Sequence, residues 1–361
     1  MTTRTALIFG GRSAEHDVSI LSARSVAAAT PRERLEVIPI CVARDGVFVE
    51  PHRSSAILEG NAAGDSGDPA FSFETWWRNG NADVVFPLIH GTGGEDGVLQ
   101  GYLETIGAPY AGSGVAASAV SMDKAFMKHA FGAARLPVVE TVHVTESEWE
   151  HERERIVRAA TNALRLPYFV KPANSGSSIG VSKVKSDRDL DAAMELAFRF
   201  DRKVLIERGV DAREIEVSVL GNDEPEASVP GEIVAAREFY DYEDKYADGR
   251  AELIIPARLP IEKAGEIRRL ALAAFKAVGA AGFARVDFFL ERGTNRAFVN
   301  EINTIPGFTK ISMYPKLWEA SELKYSRLIE RLVELGLERH RQRAARGERA
   351  MEWLRNARKI T

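Results

Sequence analysis

Ala6-Leu7-Ile8-Phe9 is a short apolar run closed by Gly10-Gly11, and residues 18–29 behind it read as a helix rich in alanine and serine. Strand, glycine turn and helix together form the first unit of an α/β fold. A second strand candidate at 37–42 and a third at 84–89 repeat the alternation, the third leading into His90-Gly91-Thr92-Gly93-Gly94-Glu95-Asp96-Gly97. Such alternation predicts a parallel sheet whose ligand groups lie beyond the carboxyl ends of its strands. Both glycine loops fall at such ends.

Further along, a helix is expected from 122 to about 134, then a charged helix over 145–164 capped by Thr145 with Glu148 three residues on. A strand at 168–170, a loop rich in serine and glycine at 174–180, a helix opened by Asp187 and a strand at 204–206 complete a second unit. From Glu214 the chain turns to β character, with strand candidates at 216–220, 253–255, 283–290 and 297–300, and a mobile polar loop is expected over 238–248. The expected division is 1–121, 122–211 and 212–340, with a basic tail over 341–361. That tail, dense in arginine with Met351, Trp353 and Leu354 as its few apolar residues, reads either as a solvated helix or as a nucleic-acid arm.

A length of 361 residues suits two or three packed domains, and 45% hydrophobic with 28% charged residues excludes a disordered or fibrous chain. With 48 Lys+Arg against 52 Asp+Glu, the formal charge of -4 supplies no overall field toward nucleic acid or an anionic membrane. The lone cysteine, Cys41, cannot form an internal disulfide and reads as a buried inert thiol. No apolar stretch approaches the ~18 residues of a membrane span. A cytoplasmic protein that binds neither membrane nor nucleic acid is the expectation.

Residues two apart on a strand share a face, so Arg285 and Asp287 point the same way, as do Glu301 and Asn303 on the next strand candidate. If those strands pair, two carboxylates, an amide and a guanidinium converge. Oxygen donors without a nearby thiol suit a hard cation such as magnesium. A satisfied ion pair between Arg285 and the acids is the alternative. Lys171, at a strand end before Asn174-Ser175-Gly176-Ser177-Ser178-Ile179-Gly180, offers charge and a nest of donors to polyphosphate, though such loops are also plain connections. The run Val204-Leu205-Ile206-Glu207-Arg208-Gly209-Val210 presents a backbone edge for adenine, with Glu207 either accepting from the base's amino group or facing solvent. Glu214 is a candidate acceptor for ribose hydroxyls.

Taken together, seven ordered motifs resemble the D-alanine–D-alanine ligase family of the ATP-grasp superfamily, from about Arg4 to His340. They are Gly10 to Ser19, His90 to Gly97, Ser121-Met122-Asp123-Lys124, Lys171 to Gly180, Phe239 to Tyr246, Arg285-Val286-Asp287, and Glu301-Ile302-Asn303-Thr304-Ile305-Pro306-Gly307. The resemblance implies a three-domain α/β ATP-grasp architecture, an N-terminal parallel α/β domain followed by two α+β domains that sandwich ATP. It implies transfer of the ATP γ-phosphoryl group to one D-alanine and attack by a second. Asp287, Glu301 and Asn303 would then hold two magnesium ions, with manganese as a substitute. Lys124, Lys171 and Lys245 would contact phosphates, joined at the nucleotide by Ser177, Ser178, Arg208 and Val210. Arg285 and the Gly307 amide would face the oxyanion. Glu15 would take the first D-alanine's ammonium with His90 nearby, and Ser312 the second substrate's carboxylate. Ser177 and Tyr246 would link the small loop to Glu15, while Phe169 and Phe289 would either wall the adenine or belong to the core. The expected assembly is a homodimer. Another ATP-grasp or depsipeptide ligase, and a nucleotide binder without catalysis, are the competing readings; a degenerate binder has no need of Arg285, Asp287, Glu301 and Asn303 together.

Overall fold

The computed structural model describes residues 2–234 and 252–357. The loop expected over 238–248, with Lys245 and Tyr246, lies outside the described residues. The chain begins with β1 (Thr3–Gly10), α1 (His16–Ala29), β2 (Leu35–Val42), α2 (Pro51–Glu59), α3 (Phe73–Arg78), β3 (Val84–Pro87), α4 (Val98–Thr105) and α5 (Val115–Met122). The three strands form a parallel sheet in the order β2-β1-β3. Because β1 is central and covered on both faces, its apolar run is continuous. Leu7 and Phe9 enter one core and Ala6 and Ile8 another. Cys41 is fully buried in the first, and burial pushes its thiol up to about 12. At the end of β1, Gly10 has φ +90°, and a Cβ there would stand 2.4 Å from the Val42 carbonyl oxygen, so only glycine turns this corner.

The helix expected from 122 to about 134 is present but starts two residues later, after a break that separates it from α5. Asp123 leaves the helical region and its carboxylate accepts from the Ala125 and Phe126 amides at 3.0 and 3.1 Å, opening α6 (Lys124–Ala133) as an N-cap. Next come β4 (Thr141–Thr145) and α7 (Glu146–Leu164), whose expected capping box between Thr145 and Glu148 is present. They are followed by β5 (Tyr168–Pro172), β6 (Ser182–Val184), α8 (Leu190–Phe198) and β7 (Lys203–Arg208). Asp187 opens only a three-residue 3-10 turn, capped by Ser186, ahead of α8. The strands pair antiparallel in the order β4-β7-β5-β6.

The remaining elements are β8 (Ala212–Gly221), β9 (Glu226–Ala227), β10 (Gly231–Val234), β11 (Glu252–Ile254), α9 (Ile261–Ala277), β12 (Gly282–Glu291), β13 (Ala297–Asn303), α10 (Met313–Ala320) and α11 (Tyr325–Ala357). Their strands form an antiparallel sheet in the order β11-β10-β8-β12-β13, with β9 on β8. Ile267, Ala271, Ala274 and Phe275 of α9 cover one face, against Val217, Val286, Phe288 and Leu290. By strand alternation the intervening Arg285, Asp287 and Phe289 face the other way, toward the central sheet.

The C-terminal helices return to the first sheet. Leu328, Ile329, Leu332 and Val333 of α11 share a core with Leu7, Phe9, Phe308 and Trp318, and each such burial contributes about 1.5–3 kcal/mol. Residues 341–357 continue α11 as its exposed end, as the solvated-helix reading expects. Arg343 reaches Glu104 there at 2.7 Å. Among the described residues no helix is long and apolar enough to cross a membrane.

Candidate active site

A cleft of about 800 Å³ opens where the three sheets meet, lined by Glu15, His90, Lys124, Ser177, Arg285, Glu301, Asn303, Gly307 and Ser312. Nine of the expected site residues therefore share one cavity, although they span almost 300 positions of sequence.

The strand wall of this cleft is set by register. β12 and β13 pair Arg285 with Asn303 and Asp287 with Glu301, so the four functional groups stand side by side. Arg285 donates through Nε and Nη2 to both oxygens of Asp287 at 2.7 Å, and its Nε lies 3.0 Å from Glu216. Asn303 donates to Asp287 at 3.0 Å. Burial opposes the guanidinium charge, but Asp287 and Glu216 outweigh it and hold Arg285 firmly cationic. The ion pair and the convergent acids are thus both present, and neither reading excludes the other. Among the described residues no group of three or more His, Cys, Asp or Glu is arranged to hold a metal. Two carboxylates and an amide, all hard oxygen donors, are instead an incomplete shell, which fits a magnesium ion that completes its sphere with phosphate and water.

The opposite wall is a loop. Ser177 and Ser178 sit in the left-handed region at φ 49° and 59°, and the Ser177 hydroxyl donates to Glu15 at 2.5 Å across 162 residues. Asp201 holds the loop's entry by accepting from the Asn174 amide at 2.8 Å and from its side chain at 2.7 Å. At its exit Gly180 lies so close to Phe200 that a Cβ would be 2.6 Å from the ring. Lys124 reaches over the loop, donating to the Ser175 carbonyl at 2.5 Å and standing 4.0 Å from Glu301.

At the N-terminal end, Ser13 donates to the His90 carbonyl at 2.7 Å and accepts from the Glu15 amide at 3.2 Å. The His90 ring is buried between the Ser22 hydroxyl at 2.8 Å and the Ile305 carbonyl at 3.1 Å. Burial disfavours its charge, yet Glu95 at 3.7 Å raises its pKa. Its nitrogens are committed to protein groups. Gly307 allows a close approach, since a Cβ there would come 2.7 Å from the Ser312 oxygen. Ser312 is in turn fixed by the Thr309 amide at 3.0 Å.

A second cluster lies between the central and C-terminal sheets, beside the cleft. Lys171 is 5.9 Å from the Phe169 ring and 5.7 Å from the Phe289 ring, one from each sheet. The two rings therefore flank one ammonium and neither is fully buried. Glu207 is 1% exposed, which overturns the solvent-facing alternative. Its carboxylate accepts from Lys171 at 2.5 Å and is approached by Lys128 at 2.6 Å. Burial pushes the Glu207 carboxyl up, but the two lysines prevail and bring it down to about 2. Glu214 stands opposite Phe289 across β8 and β12, and Arg208 pairs with Glu140 at 2.7 Å and Glu291 at 3.1 Å. Val210 follows on the half-buried connection to β8, and Ser178 lies on the loop beside Ser177.

Lys128, Glu216, Ser22 and Glu95 join these networks without having been singled out by sequence. Glu216 had a signal, since it alternates with Glu214 on β8 and pairs with Asp287. Lys128 is four residues from Lys124 on one helix face. Ser22 and the pairing of Glu95 with His90 had no comparable signal.

Residues 4–113 match the family model described as D-ala D-ala ligase N-terminus, and residues 130–334 match the D-ala D-ala ligase C-terminus. The chain is 48% identical to a D-alanine--D-alanine ligase of Solibacter usitatus over 95% of this chain and 98% of that one. It is also 48% identical to the corresponding Deinococcus radiodurans ligase, over 94% and 99%. Among solved structures, the D-alanine-D-alanine ligase from Coxiella burnetii superposes with a TM-score of 0.82 at 33% identity, covering 98% of this chain and 99% of that one. VanG D-Ala:D-Ser ligase from Enterococcus faecalis gives 0.79 at 31%, covering 93% and 100%.

Proposed function

Because the chain belongs to the D-alanine–D-alanine ligase family, with its α/β ATP-grasp architecture, we propose that it joins two D-alanine molecules at the expense of ATP, supplying a dipeptide for peptidoglycan. The observation that carries this reading is that one cleft is lined both by Glu15, fastened to the loop through Ser177, and by Arg285 and Glu301 on the paired strands β12 and β13. That arrangement gives an ammonium and a reacting carboxyl group separate partners.

A carboxylate is a poor electrophile and must be activated. In the first step an oxygen of the first D-alanine's carboxylate attacks the γ-phosphorus; the bond to ADP breaks and an acyl phosphate forms. Glu15 receives that substrate's ammonium, and His90 packs the same subsite. Lys124, Lys171 and Lys245 balance the polyphosphate charge, with Ser177, Ser178, Arg208 and Val210 lining the nucleotide's path and Glu214 at the ribose. The base lies between Phe169 and Phe289 with Glu207 accepting from its amino group. Asp287, Glu301 and Asn303 would hold two magnesium ions, or manganese, which when bound neutralise the crowded phosphate oxygens. In the second step the free amine of the other D-alanine, its carboxylate on Ser312, attacks the acyl carbon. Arg285 and the Gly307 amide face the oxyanion. Collapse expels phosphate, and the amine's surplus proton is released. Ser177, Glu15 and Tyr246 close the site.

The same reading takes 1–121, 122–211 and 212–340 as the functional units, with 341–361 as an appendage, in a homodimer acting in the cytoplasm. Incubation with ATP, magnesium and D-alanine should release phosphate only when D-alanine is present and yield D-alanyl-D-alanine by mass. Phosphate release independent of D-alanine, with no dipeptide, would refute the proposal. The likeness to VanG D-Ala:D-Ser ligase supports one other acceptor, D-serine; a mixed dipeptide dominating under equimolar competition would establish that instead.

A further inference from the structure

Lys128 is left without a task by the reaction just described, and its surroundings assign one that rests on the nucleotide reading. Its side chain is 5% exposed and lies 2.6 Å from Glu207 Oε2, whereas Lys171, 14% exposed, takes Oε1 at 2.5 Å. Two ammonium groups thus share one carboxylate that is 2% exposed. An excess positive charge in a buried cluster is costly unless an anion meets it. A polyphosphate is such an anion. The two lysines are unequal in their access to it: Lys171 stands between the Phe169 and Phe289 rings at the boundary of the two sheets, while Lys128 is buried on the inner face of α6.

Were Lys171 to turn toward phosphate, Lys128 would be the remaining cation beside Glu207 among the described residues. We propose that Lys128 is a positioning residue for the nucleotide, holding the Glu207 carboxylate in place for the exocyclic amine of adenine while Lys171 is shared with the phosphates. Glu207 itself sits at the right level for this, opposite Phe169 on the neighbouring strand β5. The low pKa of Glu207 agrees with a carboxylate that stays an acceptor throughout. A carboxylate is acceptor-only, so it favours a purine with an amine at position 6 and disfavours one with a carbonyl there.

The test compares ATP with inosine triphosphate, which differs at that position. Lys128→Met should raise KM for ATP by about tenfold, as expected for a lost charged contact, and bring the ATP-to-ITP ratio of kcat/KM toward one. Turnover at saturating ATP and KM for D-alanine should stay within about threefold of wild type, since neither reads uniform nucleotide binding. Lys128→Arg should restore the ratio. Unchanged discrimination in a folded Lys128→Met protein overturns the proposal. If that variant does not fold, Lys128→Met combined with Glu207→Gln removes both buried charges. Its ATP-to-ITP ratio should then match that of Glu207→Gln alone, and an additional independent loss would refute action through Glu207. Titration of wild type with ATP separates the two levels of the argument: no ATP binding refutes the nucleotide reading, whereas binding that Lys128→Met leaves unaltered refutes only the role of Lys128.

Discussion

The two walls of the cleft are built by opposite means. On the strand wall, Arg285, Asp287, Glu301 and Asn303 are placed by the ladder between β12 and β13, and Arg285 and Asn303 are bonded to Asp287 at 2.7–3.0 Å before any substrate arrives. On the loop wall, Ser177 and Ser178 occupy a backbone region that costs about 1–3 kcal/mol per residue and no ladder supports them. Their loop is held by Asp201 at Asn174 behind and by Glu15 at Ser177 in front. A preorganised wall suits groups that stabilise developing charge, because reorganisation at that moment would raise the barrier. A wall fastened by a few side-chain bonds can open for substrate without disturbing a sheet.

The sharpest way to break this comparison is at the strand wall. Glu301→Gln keeps shape and removes a charge; with magnesium saturating, turnover should fall at least about a hundredfold, roughly 3 kcal/mol of transition-state stabilisation. Near wild-type turnover would mean that the acids serve only as partners for Arg285. At the loop wall the expected effect is smaller. Asp201→Ala removes both contacts to Asn174, so turnover should drop about tenfold through misplacement of Ser177, and amide exchange over 174–180 should accelerate. Unaltered exchange would show that Phe200 and the Glu15 bond suffice.

Between the walls, Glu207 offers a pH test. Its folded-state pKa is lowered to about 2 from the ordinary 4.5, so its stabilisation is full above about 4.5 and is lost as pH falls toward about 2. The difference in Tm between wild type and Glu207→Gln should therefore be greatest near neutrality and shrink as pH falls from about 5 to about 3. A constant difference would mean that the carboxyl is not selectively stabilised in its charged form. Tyr246→Phe should retain ATP binding yet raise D-lactate over D-alanine incorporation a few-fold, most clearly near pH 6 (about), where more of the competing amine is protonated. An unchanged ratio would remove Tyr246 from acceptor choice. Deleting 341–361 should leave turnover within about twofold, because the exposed helix end contributes a surface ion pair of about 0–1 kcal/mol. A folded but inactive truncation would contradict the solvated reading.

The contrast also explains what the sequence disclosed. Strand wall residues were legible because alternation has a fixed period, so Arg285-Val286-Asp287 and Glu301-Ile302-Asn303 declare a shared face before pairing is known. The capping box at Thr145 was legible for a similar reason, as a local pattern. Asp123 was not, since residues on both sides favour helix and the break shows only when the carboxylate turns to the Ala125 and Phe126 amides. Lys128 resembled any lysine on a helix surface; its burial comes from packing α6 against strands about 80 residues downstream, which no local period records. The loop wall was legible in composition alone, and its clamp by Asp201 and Phe200 depends on a turn between α8 and β7.

The central claim is that the two walls together activate a carboxylate by phosphorylation, and oxygen transfer tests it most directly. D-Alanine labelled with oxygen-18 in its carboxyl group would be incubated with the protein, ATP and magnesium, and the released phosphate analysed by mass. The account predicts one labelled oxygen in the phosphate for each dipeptide formed, because the attacking carboxylate oxygen leaves with phosphorus. Dipeptide formation with unlabelled phosphate would contradict it.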